Sequence, residues 1–322
     1  MIEVKGKGGI SAKIIADSIS ERGNRITTYE LEYPRFIHAE FMTHRAFSRN
    51  AASSRAIPVT RSIELIKERT AMPIHWGKNQ PGMSAKEECN ENVYIDFGSI
   101  SDYATKEQAW NFARNCAIEV AEAFNDAGYH KQIVNRLLEP FSFIKVVCTA
   151  TEFDNFFYLR CHPDAQPEIQ ELARCMFDAR QISDPFELIH GAWHTPYYAN
   201  GYWSPEFTHI DEDTPHLSLQ DALAVSASCC AQVSYRRLDD SIEKAQDIFK
   251  RLIESKPAHA SPMEHQASPM RFTIHERGAS LEEGISHIDR VGSYWSNNFK
   301  GWIQHRALIP DSTCFKFEKE QP

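Results

Sequence analysis

Thr43-His44-Arg45-Ala46-Phe47-Ser48-Arg49-Asn50-Ala51-Ala52-Ser53-Ser54-Arg55 (THRAFSRNAASSR) carries three arginines and no acid. Residues 41–63 add Arg61 and still hold no Asp or Glu; the nearest acids are Glu40 and Glu64. The rest of the chain is acidic, 322 residues with a net charge of −9 and a pI near 5.9. A basic cluster in such a chain suits one small anionic ligand better than a nucleic-acid coat or an anionic membrane. Arginine's planar fork matches phosphate, the serines and Asn50 add neutral donors, and the alanines permit close approach. A solvated basic face accounts for such a run equally well until the missing acids and the small residues are weighed.

Working outward, residues 26–33 alternate Tyr29, Leu31 and Tyr33 with Thr28, Glu30 and Glu32 and predict a strand that Pro34 ends. Phe36, Ile37, Phe41 and Met42 then follow a helical pattern. It places the quoted stretch on a helix or at its end, with Arg45 and Arg49 on one face and His44 and Ser48 on another. Residues 72–103 read as a long irregular excursion. Thr105 and Gln108 form a capping box for a helix to about 126, which Gly128 stops. Helical patterns also cover 133–138, 149–160, 163–180, 218–230, 240–255 and 280–290, the last opened by Ser280 and Glu283. The fold class is α+β, with helices packed around a mainly antiparallel sheet. Three parts are expected: 1–182 with the signature, a Pro-, Trp- and Tyr-rich connection over 183–216, and 217–322.

The eight cysteines show no CxxC spacing and read as reduced thiols. No apolar run is long enough to cross a bilayer, so a cytoplasmic protein is expected, in the host cytoplasm if viral. There is no P-loop, no GxGxxG after a strand and no GxSxG elbow. His190 and His194 read as packing residues, and no metal is expected.

The spacing of His44, Arg45, Ser48, Asn50, Ser53 and Arg55 resembles the signature of the flavin-dependent thymidylate synthases (ThyX). That motif runs RHR, seven residues, Ser, then Arg two further on. Thr43 here replaces its first Arg. The resemblance continues through Asn135-Arg136-Leu137-Leu138-Glu139-Pro140, Asn155 to Arg160, and Ala165 to Ile169, covering roughly 24–61 and 105–180. Two elements that normally precede the signature stand instead near the C-terminus, Val233-Ser234-Tyr235 and Ser261-Pro262-Met263-Glu264-His265. A second His-Arg-Ala follows at 305–307. Tyr33 and Tyr294 stand eleven residues before the two histidines, and Phe41 and Trp302 three before. The resemblance therefore implies a member with rearranged element order, either permuted or partly duplicated.

It also implies FAD as cofactor, methylenetetrahydrofolate and NADPH as co-substrates, and deoxyuridine monophosphate (dUMP) or a related pyrimidine nucleotide as substrate. Ser53 and Arg55 are expected at the nucleotide phosphate, Arg136 on the nucleotide, and Arg160 at the pyrimidine edge, with Arg160 and Ser53 as the catalytic pair. His44, Arg45, Ser48, Asn50, Asn155, Ser234 and His265 are expected to hold the flavin. Glu40 stands where the family carries Gln, beside the base, and Asp164 where it often has His. These departures open hydroxymethylation at C5, or a cytosine nucleotide, as alternatives. A non-catalytic nucleotide- or single-strand-binding protein is the alternative from another class, its aromatic 193–203 segment stacking bases; since 181–235 holds no Lys or Arg, that segment reads as packing instead. A homo-oligomer, dimer or tetramer, is expected.

Overall fold

The computed structural model describes residues 2–98, 100–211, 216–234, 238–271 and 281–314. Strands β1 (Ile2–Lys5), β2 (Ser11–Ser20) and β3 (Arg25–Pro34) form an antiparallel meander. The predicted alternation in β3 holds, with Tyr29, Leu31 and Tyr33 fully buried. A one-turn helix α1 (His38–Phe41) leads to β4 (Ser48–Ala51) and then to α2 (Val59–Glu68). After irregular chain comes a hairpin, β5 (Val93–Phe97) and β6 (Ile100–Ala104). Helix α3 (Lys106–Asp126) starts at the capping box, Thr105 Oγ1 accepting from the Gln108 amide and Gln108 Oε1 from the Thr105 amide. Gly128, at φ +86°, follows its end.

Helix α4 (Lys131–Val134), strand β7 (Phe143–Ala150), and helices α5 (Asp154–Arg160) and α6 (Pro167–Ile182) complete the first half. Next come β8 (Phe186–Leu188), β9 (Trp193–His194), β10 (Tyr202–Trp203), and helices α7 (Leu219–Ala231) and α8 (Ile242–Glu254). Five short strands end the described chain: β11 (Ala267–Pro269), β12 (His287–Ile288), β13 (Tyr294–Ser296), β14 (Phe299–Lys300) and β15 (Trp302–Gln304).

The larger sheet runs β1-β2-β3-β7-β4, with β8 parallel on β2 and the other pairs antiparallel. One face carries Tyr29, Leu31, Ile144, Val146 and Cys148. It is covered by Phe153 and Phe156 of the α5 region and by Ile169, Leu172 and Met176 of α6. On the opposite face Ala16, Thr28, Thr149 and Ser48 stand abreast across four strands. A second sheet, β10-β9-β11-β15, packs there, Ile26 meeting Leu188, Ala267 and Trp302. Gly201 lets it approach. At φ +93° a Cβ would lie 2.8 Å from both Cα and Cβ of Ala16.

Four expectations are corrected. The quoted stretch lies at the end of α1 and not on a helix itself: the Thr43 hydroxyl caps the Glu40 carbonyl at 2.7 Å, and residues 48–51 pair with β7. Arg45 and Arg49 therefore share no helix face. Residues 149 and 150 close strand β7, so the helix there is only Asp154–Arg160. Residues 281–290 form a turn and β12, not a helix, and Ser280 lies outside the described residues. The 72–103 excursion ends in a hairpin. Apart from these, residues 183–216 contribute strands to both sheets. Among the described residues no helix is long and apolar enough to cross a membrane.

Candidate active site

Arg160 ends α5 and reaches across to the turn where the quoted stretch begins. Its Nε donates to His44 Nε2 at 2.9 Å and its Nη1 pairs with the Glu40 carboxylate. Nη2 has no partner among the described residues, so the fork is gripped on two of its three nitrogens. Because His44 Nε2 accepts, the neutral ring carries its proton on Nδ1. Burial, then the charges of Arg160 and Arg49, lower the His44 pKa to about 4, so the ring is neutral at pH 7. Phe156, edge-on at 4.8 Å, and Phe47 hold the ring in place. Glu40, the departure from the family pattern, is thus the counter-charge of the arginine expected at the pyrimidine.

At the other end of β4 the chain turns through Ser53, Ser54 and Arg55. Asn135 Nδ2 stitches this turn by donating to the carbonyls of Ser54 (2.7 Å) and Ile57 (2.9 Å). Glu139 accepts from Ser54 Oγ and from Arg136 Nη1, both at 2.8 Å, with Arg35 at 3.7 Å. Ser53, Arg55 and Arg136 are thereby brought to one place. Arg55 is exposed, and its guanidinium has no partner among the described residues. Beside them opens a cleft of about 690 Å³, lined in part by Ser54, Arg61, Arg69, Asn135, Glu139 and Lys145. Asn135 and Glu139 were missed as site residues, although both stand inside a stretch whose resemblance was noted.

The C-terminal half closes on β4. Ser48 Oγ accepts from Asn298 Nδ2 (3.1 Å) and Gln304 Nε2 (3.2 Å), and Asn50 Nδ2 donates to the Cys230 carbonyl (3.3 Å). These two residues of the predicted flavin set are turned into protein–protein bonds. Arg45 is exposed and unpaired among the described residues. It shares a second cleft, of about 350 Å³, with Glu264, Asn298, Gln304 and Arg306. His265, next to Glu264, is fully buried with Nδ1 2.8 Å from Thr149 Oγ1. Both His-Arg-Ala segments therefore meet, Arg45 facing Arg306, whose guanidinium pairs with Glu264. Asn155 is exposed on α5 with no partner among the described residues. The side chain of Ser234 and all of Tyr235 lie outside the described residues.

Four arginines without nearby acids now have separate fates. Arg61 pairs with Glu64 (2.9 Å) and Glu68 (3.3 Å), and Arg49 donates to the Phe41 carbonyl (3.0 Å). Among the described residues neither the Arg45 nor the Arg55 guanidinium meets an acid, and both are exposed. The free capacity fits an anionic, acceptor-rich group such as FAD: Arg45 as a cation, the Asn155 amide, and the buried His265 Nε2, which meets no partner among the described residues. Among those residues no group of three His, Cys, Asp or Glu could hold a metal ion. The aromatic 193–203 segment packs inside, as its lack of flanking basic residues predicts, with Trp193, His194 and Tyr198 buried.

No curated protein matches the chain in a sequence comparison. A family model does: that of the thymidylate synthase complementing proteins, Thy1, matches residues 25–185, half of the chain, and spans both ends of the site just described. The chain belongs to this family, the flavin-dependent thymidylate synthases.

Proposed function

We propose that the protein transfers a one-carbon unit from methylenetetrahydrofolate to C5 of dUMP, with FAD as cofactor and NADPH as reductant. In balance, dUMP, methylenetetrahydrofolate, NADPH and a proton give thymidylate, tetrahydrofolate and NADP⁺. The observation that carries this reading is the grip on Arg160. Uracil C5 is a poor nucleophile until electron density is pushed into the ring, and the resulting negative charge gathers on the ring oxygens. A guanidinium fixed through Nε and Nη1, with Nη2 still open, is oriented in advance to stabilise that charge. Ser53, Arg55 and Arg136 bind the nucleotide phosphate on the turn that Asn135 and Glu139 brace.

FAD is held by His44, Arg45, Asn155 and His265, with Ser48, Asn50 and Ser234 supporting the walls. When bound it supplies hydride chemistry, and the protein supplies orientation and charge. No cysteine nucleophile is needed. Burial raises the Cys148 and Cys229 thiols well above neutrality, which leaves both protonated.

The phosphate end and the pyrimidine end flank opposite ends of β4, a strand of about 13 Å for four extended residues, and the cleft beside the phosphate turn is not lined by Glu40, His44 or Arg160. This supports a composite site completed by a second copy, in a dimer or tetramer. The contact of the C-terminal half with β4 supports a permuted or partly duplicated order of elements. A second reading, hydroxymethylation of dUMP or modification of dCMP, draws on Glu40 and Thr43, which change the charge beside the base. The purified protein is expected to be yellow and to retain FAD through gel filtration. Colourless protein that takes up no FAD contradicts the proposal.

A further inference from the structure

Five fully buried side chains form one hydrogen-bonded line between the two sheets. Ser18 Oγ lies 2.9 Å from His194 Nδ1, and His194 Nε2 lies 2.7 Å from Thr28 Oγ1. Thr28 Oγ1 lies 2.7 Å from Thr149 Oγ1, which lies 2.8 Å from His265 Nδ1. The line ends at His265 Nε2, which has no partner among the described residues. Of the five, only His265 belongs to the site proposed above.

Burial lowers both imidazoles to a pKa of about 3, so each ring is neutral and carries one N–H. Each hydroxyl carries one hydrogen, and each of the four links uses one. Four orders of protons satisfy all four links, differing in which hydrogen is left idle: that of His265, Ser18, Thr28 or Thr149. In the first, Ser18 donates to His194 Nδ1, His194 Nε2–H to Thr28, Thr28 to Thr149, and Thr149 to His265 Nδ1. His265 then carries its proton on Nε2. In the other three, His265 donates from Nδ1 and the hydroxyl hydrogen of Ser18, Thr28 or Thr149 has no acceptor among the described residues, while His265 Nε2 becomes a bare lone pair. Every order leaves one buried donor unmet, and only the first leaves nothing else, so the bare nitrogen decides for it.

We infer that Ser18, His194, Thr28 and Thr149 fix His265 as its Nε2–H tautomer, so that this ring meets its ligand as a hydrogen-bond donor. Its ligand must present an acceptor there, a carbonyl oxygen or an unprotonated ring nitrogen. His194 is a positioning residue, acting through two threonines from a segment outside the family match. That the acceptor belongs to FAD rests on the function proposed above; the tautomer does not.

The test is nitrogen NMR of the full chain labelled with ¹⁵N-histidine, without FAD, with His265→Gln used to assign the ring. Wild type is expected to show a protonated Nε2 and an unprotonated Nδ1 at His265. Thr149→Val keeps the shape but removes the hydroxyl that donates to Nδ1, and should bring both nitrogens toward averaged shifts as the second tautomer becomes populated. Thr149→Ser should restore the wild-type pattern. Ser18→Ala, which removes the first donor, gives the same averaging and serves if Thr149→Val does not fold. A wild-type His265 protonated on Nδ1, or shifts unmoved by both Thr149→Val and Ser18→Ala, overturns the inference. FAD titration of the same variants then examines the ligand: a dissociation constant about fivefold higher in Thr149→Val is expected. A moved tautomer with unchanged FAD affinity upholds the relay and removes FAD as the ligand of His265.

Discussion

Arg160 owes its position to two residues that lie about 120 positions earlier in the chain, and each sets a different property. Glu40 neutralises it and His44 orients it. Lysine keeps the charge but cannot bond both partners in one plane. Arg160→Lys is therefore expected to lower kcat/KM for dUMP by about a hundredfold, measured by steady-state kinetics with FAD saturating. Arg160→Ala removes one of the charges that hold His44 down, so proton NMR should show the ring titrating above its wild-type value of about 4. Asn135, 2% exposed, bonds two carbonyls of the phosphate turn. Asn135→Ala should cost about 1–3 kcal/mol in urea unfolding and weaken dUMP binding. The spacing of His44, Ser53 and Arg55 pointed to these places. The Glu40–Arg160 pair was not legible, because nothing in local spacing shows which acid a distant arginine will meet.

Among the elements, those with strong local signals were read correctly: β3 by its alternation, α3 by its capping box, and α6, α7 and α8 by their periodicity. Strand β7 was not. Val146, Val147 and Cys148 are all buried, so Val147 interrupts the face that Lys145 and Thr149 would mark as polar, and no clear period of two shows. Strand β4 was hidden for a related reason. Small residues with no strong preference take strand form there only because β7 offers an edge. The second sheet depends on a close approach that only a backbone can make. Gly201→Ala places a Cβ 2.8 Å from Ala16 at a positive φ. It should lower stability by about 1–3 kcal/mol, read as a fall in the thermal midpoint. Gly23→Ala shares the positive φ without the crowding, since nothing lies within 4 Å of its Cβ, and should cost less.

Taken as a whole, the molecule buries neutral histidines at the seam between its halves. Burial lowers His194 and His265 to about 3 and His305 to about 4, all below the ordinary value of 6.5. Between these values the unfolded chain binds more protons than the folded one, so stability falls as pH drops. The contribution is complete above about pH 6.5 and is lost progressively toward pH 4. Urea midpoints at pH 7 and pH 5 should show the fall, and His194→Gln should reduce it. A composite site also predicts an assembly, and light scattering should give a mass at least twice that of one chain. The α+β class and the family were legible in the sequence because the signature is local. The joining of the two halves was not, because it rests on contacts between residues such as Ser48 and Gln304, 256 positions apart. The proposed chemistry is tested most directly by mass spectrometry of the nucleotide product after incubating the protein with dUMP, FAD, methylenetetrahydrofolate and NADPH. Thymidylate that forms only when all four are present is the predicted result. Unchanged dUMP, from protein that has bound FAD, would contradict it.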